Sequence, residues 1–154
     1  MKTKILFFLL FLVGLISCNP SNTFSQFDKM PESNHWEQSD AKTYEFTIDN
    51  DTILYDIKFL FSHVYGYQFP DFPLDISIES PDGKKEVLNT TLLIKDGNGN
   101  DLGECSGDIC DLSTIIRGKT ILQKGKYKIT VSHSFKGPYL PNVIGVGLEV
   151  DKAE

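Results

Sequence analysis

No apolar run in this sequence reaches the roughly 20 residues that a membrane-spanning helix needs. The run from Ile5 through Ile16 is 12 residues long. Basic residues are also in short supply: 15 Lys and Arg face 21 Asp and Glu, for a net charge of −6. With no basic surplus to neutralise phosphates, nucleic acid is excluded as a partner class. Only three cysteines are present, and no His lies within reach of Cys105 and Cys110 in sequence. A four-ligand zinc site is therefore not expected, and no metal is assigned. There is no Gly-x-Ser-x-Gly elbow, no His-Glu-x-x-His and no glycine-rich phosphate loop. Nothing here supports an enzyme or a bound cofactor. Internal repeats and low-complexity blocks are missing as well. What remains is 40% hydrophobic residues with 12 Gly, 7 Pro and 11 Phe among 154 residues. That is enough for one packed, turn-rich β domain.

Lys2 and Lys4 precede the short apolar run, which is the pattern of a signal peptide. The run ends in Leu15-Ile16-Ser17-Cys18. This resembles the lipobox of bacterial lipoproteins, in which cleavage before the cysteine follows transfer of diacylglycerol to its sulfur. Residues 1–17 then form a signal peptide and Cys18 is the lipid attachment site. Several acyl chains on one residue hold a protein stably at a membrane without spanning it. Removal of residues 1–17 takes away Lys2 and Lys4, leaving 137 residues and a net charge of −8. The partner of this end of the chain is the membrane itself.

Residues 18–40 are polar, contain two prolines and show no period, so they read as a tether. Trp36 near its end is expected to dock on the folded domain. From residue 41 to 154 the pattern alternates with period two. The apolar phases are Tyr44, Phe46 and Ile48; Ile53 to Phe61; Leu74, Ile76 and Ile78; Leu88 to Ile94; Tyr127 to Phe135; and Ile144 to Val150. Such alternation marks strands with one buried face. Asp49-Asn50-Asp51, Pro81-Asp82-Gly83, Asp96-Gly97-Asn98-Gly99 and Lys124-Gly125 punctuate the runs. The gap at Asp49–Asp51 suits a hairpin. Ile109 to Ile116 reads as one short helix, with Asp108 placed to cap it. The expected fold is all-β, an antiparallel β-sandwich with one short helix, preceded by the signal peptide and the tether.

Four groups of residues remain as candidate sites. Cys105 and Cys110 sit in an exported chain, where a small disulfide loop is the first reading and two free thiols the second. Asp96-Gly97-Asn98-Gly99-Asn100-Asp101 opens like a calcium loop. Asp101 and Gly107, however, stand where a glycine and a bidentate Glu are needed, so an acidic turn is the expectation. Tyr65, Tyr67, Phe69 and Phe72 crowd one proline-rich loop. They would contact a partner or a glycan, or else cover one end of the sandwich. His133 lies on an apolar strand phase and is expected as a hydrogen-bonded core or rim residue.

The order of these features resembles a known family. A lipoprotein signal and a Trp are followed by the long aromatic strand, Tyr65-Gly66-Tyr67-Gln68-Phe69-Pro70, and the Leu74-to-Ile78 strand. Leu93-Ile94-Lys95-Asp96-Gly97-Asn98-Gly99, Gly103, Gly107-Asp108 and Gly125-Lys126-Tyr127 come next. Ile144-Gly145-Val146-Gly147-Leu148-Glu149 closes the set. This ordered set is similar to the GldH-type gliding motility lipoprotein family of the Bacteroidetes, across nearly the whole chain. The resemblance implies a non-enzymatic component of the gliding machinery in the cell envelope, in contact with other envelope or gliding proteins. Asn19-Pro20-Ser21-Asn22 lacks acids after Cys18, which points to the outer membrane and its periplasmic face. Asp51-Thr52-Ile53 resembles the O-glycosylation sequon of the same phylum, with Thr52 as acceptor. The other reading of function is a lipid-anchored carbohydrate-binding module that uses the aromatic loop.

Overall fold

The structure is a computed structural model that describes residues 22–154. Cys18, the signal peptide and the first residues of the expected tether lie outside the described residues. Eleven strands are described: β1 Asn22–Lys29, β2 Trp36–Glu37, β3 Lys42–Ile48, β4 Leu54–Val64, β5 Asp71–Glu79, β6 Lys85–Leu93, β7 Glu104–Ser106, β8 Ile109–Ile121, β9 Gly125–His133, β10 Tyr139–Leu140 and β11 Val143–Lys152. They form a five-stranded sheet in the order β1-β11-β4-β8-β7 and a four-stranded sheet in the order β3-β9-β5-β6. β10 and β2 make a separate two-stranded ladder. Every pairing between the strands is antiparallel.

The alternation in the sequence becomes the core. Tyr44, Phe46 and Ile48 of β3, Tyr55 to Phe61 of β4 and Leu74 to Ile78 of β5 turn every second side chain inward. They meet Val146, Leu148 and Val150 of β11 and Tyr127, Ile129 and Val131 of β9. Trp36 is fully buried and lies between the two layers. Its ring is 6.2 Å from Phe59 of one sheet and 6.2 Å, edge-on, from Phe72 of the other. The indole N–H donates to the Asp40 carbonyl at 2.8 Å, so the polar tip is satisfied inside an apolar site.

Three expectations are corrected. The segment read as a short helix, Ile109 to Ile116, is the first part of β8, and no helix occurs among the described residues. Cys110 and Leu112 turn inward while Ile109, Asp111 and Ser113 turn outward, and β4 supplies hydrogen-bonding partners throughout. Thr114, Ile115 and Ile116 are β-branched and suit that pairing. The segment read as a tether carries β1, which pairs with β11 from Asn22 to Lys29. An edge strand needs apolar residues only where it meets the opposite sheet. Phe24 alone meets that need, packing 5.3 Å from Phe46 of β3. Asp49–Asp51 is not a hairpin, because β3 and β4 lie in different sheets. The Asn50 carboxamide oxygen accepts from the Thr52 amide at 2.9 Å and the Thr52 hydroxyl at 2.7 Å, and this Asx turn carries the chain across the sandwich.

Candidate functional site: a trough on the five-stranded sheet

The outer face of the five-stranded sheet is bare where a strand would ordinarily present side chains. Successive strands align Phe27, Gly147, Leu60 and Ser113 in one row across β1, β11, β4 and β8. Two residues along, a parallel row runs Lys29, Gly145, Ser62, Asp111 and Glu104. The centre of the first row is Gly147 and Leu60, and that of the second is Gly145 and Ser62. The Phe27 ring fills part of this space. A Cβ on Gly145 would stand 2.5 Å from Phe27 Cε1, and one on Gly147 would stand 2.5 Å from the Gln26 carbonyl oxygen. Gly-x-Gly on β11 thus lets Phe27 lie down on the sheet and lets β1 approach.

The opposite wall is built by the segment 95–104 and β7. A Cβ on Gly103 would meet the Asp111 carbonyl oxygen at 2.8 Å, so only glycine allows this segment to lie against β8. Leu102 and Glu104, on either side, remain exposed. Between the walls is an open cavity of about 700 Å³, lined by Phe27, Leu60, Leu102, Glu104, Asp111 and Ser113 among others. Further along the same face Lys58 is committed elsewhere. Its Nζ lies 2.6 Å from Asp151 and 3.4 Å from Glu149. The hydrogen bond to Asp151 raises the Lys58 pKa. Burial, followed by the neighbouring Asp151, raises that of Glu149. Among the described residues no ion pair engages Glu104 or Asp111. A second groove, about 460 Å³, opens between β6 and β8 and is lined by Val87, Leu88, Ile115 and Ile116 among others.

The residues singled out from sequence fall in different places. Cys105 and Cys110 are directly opposite each other on β7 and β8 and are disulfide-bonded. The bond joins the wall of the trough to the sheet. The Asp101 carboxylate lies within 4.8 Å of both sulfurs, but bonded sulfurs are not thiolates and make no metal ligand set. Asp96 is used by its own turn. Its carboxylate accepts from the amides of Asn98 and Asn100, both at 2.9 Å, and from the Asn100 side chain at 3.0 Å. Those bonds, led by the Asn100 side chain, hold its pKa low. Thr52 is exposed in the β3–β4 connection.

The aromatic loop does not form a platform. Tyr67 and Phe72 are buried, Phe69 is half-buried, and only Tyr65, at 63% exposure, faces solvent. Tyr67 packs 5.7 Å from Phe61 and 4.9 Å from His63, and Phe69 packs 4.8 Å from Phe135. Burial drives the Tyr67 phenol pKa upward. The loop covers the end of the sandwich near Trp36, which leaves the carbohydrate reading without its stacking surface. His133 is buried against Trp36, with ring centres 4.8 Å apart.

Phe27, Leu60 and Ser113 were not legible as a site. The usable signal was Gly145-Val146-Gly147: glycine on alternate residues of a strand strips one face of its side chains.

No curated protein matches the chain. Among solved structures, it is similar to dimeric latent PorU from Porphyromonas gingivalis at 9% identity and a TM-score of 0.35, over 85% of this chain and 13% of that one. It is also similar to an exo-beta-1,3-galactanase from Phanerochaete chrysosporium at 11% identity and a TM-score of 0.35, over 82% of this chain and 26% of that one. The chain thus spans a small fraction of either protein. The sequence model of the GldH lipoprotein family matches residues 22–150, from the start of β1 into β11, the strand that carries Gly145 and Gly147. The chain belongs to the GldH lipoprotein family.

Proposed function

We propose that this protein is a non-enzymatic, lipid-anchored subunit of the gliding motility machinery, held by acyl chains on Cys18 at the periplasmic face of the outer membrane. The observation that carries this reading is the family match across residues 22–150, which spans nearly all of the folded chain. The lipobox ending in Cys18 supports the anchor, and the open trough supports docking on other envelope proteins. The engagement of His133 with the Trp36 carbonyl, rather than with a nucleophile, fits a subunit that binds and does not catalyse. Thr52 is the proposed O-glycan acceptor, and intact mass of the native protein above polypeptide plus lipid checks it.

The test is fractionation of native envelopes together with affinity purification. Cys18→Ala is expected to move the protein to the soluble fraction or to accumulate an unprocessed form. The acylated wild type is expected to co-purify with other gliding proteins. A Cys18→Ala protein that remains processed and membrane-bound overturns the anchor. Purification without any gliding component overturns the role.

A further inference from the structure

We infer that the trough on the five-stranded sheet binds a segment of a partner protein that carries basic side chains spaced by apolar ones. This rests on the reading of the protein as a docking subunit, and names the chemistry of what docks. Three features of the trough select that occupant.

The first is its floor. Leu60 and Ser113 form its open part, while the Phe27 ring covers Gly145 and Gly147 and Ser62 is buried. The row from Phe27 to Ser113 crosses four strands, or three spacings of about 4.8 Å, roughly 14 Å in all. That width takes one segment of chain with its side chains, since even a helix is about 10–12 Å across.

The second is the aromatic wall. One face of the Phe27 ring lies on the glycines, so the other is offered to the trough, and the residue is 41% exposed. A Lys or Arg placed over an exposed aromatic face is attracted by the ring quadrupole. Leu60 on the floor and Leu102 on the opposite wall supply apolar contacts.

The third is charge. Glu104 and Asp111 stand opposite each other on the β7–β8 wall, and no base occurs in the lining named for the cavity. The nearby cation Lys58 is held by Asp151 and Glu149. Lys29 stands at the other end of the second row, on β1. The field therefore runs from positive at the β1 rim to negative at the β7 rim, which gives a bound segment a direction. The mature chain as a whole carries −8, so an acidic segment is repelled and a basic one steered in.

The experiment uses the mature acylated protein in micelles of a non-ionic detergent. The probes are a fluorescein-labelled peptide, acetyl-Arg-Val-Arg-Phe-Arg-Val-amide, and its counterpart with Glu for Arg. Anisotropy titration is expected to show saturable binding of the Arg peptide that weakens with salt, and none of the Glu peptide. Glu104→Gln with Asp111→Asn is expected to weaken binding by about tenfold or more, since two charge-assisted contacts are removed. Both side chains are exposed, so the thermal transition of this variant is expected to match wild type. Phe27→Leu is expected to weaken binding several-fold at unchanged salt dependence. Equal binding of the two peptides, or wild-type affinity in the double variant, overturns the inference. Wild-type levels of co-purified gliding proteins on the double variant overturn the trough while the docking role stands. Their absence from the wild type as well overturns the role itself.

Discussion

Phe27 and Gly145 share one volume: the ring of the first sits where the second would need a Cβ, 2.5 Å from Cε1. Gly147 repeats the relation against backbone, 2.5 Å from the Gln26 carbonyl oxygen. A ring can tilt, but a carbonyl in a sheet ladder cannot move without breaking the pairing of β1 with β11, and Gly145 meets such a carbonyl less closely, the Asp28 oxygen at 2.8 Å. Gly145→Ala and Gly147→Ala are therefore expected to destabilise the domain by about 1–3 kcal/mol, with Gly147→Ala the worse. Gly97→Ala is the control, since nothing lies within 4 Å of its Cβ position, and it is expected to stay within about 0.5 kcal/mol of wild type. Urea denaturation of the three variants checks the order.

His133 ties stability to pH. Its Nε2–H donates to the Trp36 carbonyl at 3.0 Å, and its Nδ1 accepts from the Phe135 amide at 3.4 Å. Both bonds are made by the neutral ring, and protonating Nδ1 breaks the second. Burial lowers its pKa more than the Trp36 carbonyl raises it. The unfolded chain then binds the proton more readily than the folded one, so stability is present above the ordinary histidine pKa of about 6.5 and is lost as pH falls below it. Glu149 acts with the opposite sign at lower pH. Its raised pKa means the folded state takes up the proton first, which favours folding as pH falls toward the ordinary carboxylate value. Melting temperatures measured from pH 7.5 to 5 are expected to fall. His133→Gln is expected to flatten that fall; an unchanged slope removes the assignment.

Tyr67 carries a hydroxyl that its site does not use. The residue is buried and the oxygen has no hydrogen-bond partner among the described residues. Leaving a buried polar group unpaired costs about 1–3 kcal/mol. Tyr67→Phe is expected to be neutral or stabilising by up to about 1 kcal/mol, and Tyr67→Ala to cost about 3–5 kcal/mol through the cavity it leaves. Calorimetry of the pair checks the sign. A Tyr67→Phe variant that loses 2 kcal/mol or more shows that the hydroxyl has a partner.

The core was legible because alternation reports directly which side of a strand is buried, as in Leu74, Ile76 and Ile78. Trp36 was legible for a related reason: a large apolar ring at the end of a polar stretch must find cover. The partner of a strand was harder to read. β1 contributes one core aromatic, Phe24, and its other residues pair through backbone, which leaves no apolar period to see. Ile109 to Ile116 failed in the opposite way, since a short apolar run fits a helix or a strand until β4 settles it. The trough was hidden because its lining residues stand on strands that are distant in sequence, and the glycines that seat Phe27 add no side chain to it.

The Cys105–Cys110 bond gives the last expectation. The two residues face each other in the middle pair of a hairpin whose first strand, β7, has only three residues. They are five apart in sequence, so the bond restricts the unfolded chain modestly, by about 1–3 kcal/mol. The core of the sandwich does not depend on it, because β7 is an edge strand whose three residues are all exposed. Replacing both cysteines with serine is expected to lower the melting temperature by several degrees and to leave the fold intact. The same change frees β7, and with it Glu104, from its covalent hold on β8. Binding of the cationic peptide is thus expected to weaken more than the small loss of stability alone would require. Alkylation mass spectrometry without reductant checks the premise, since two labelled thiols in protein taken from the envelope would remove the bond and both consequences.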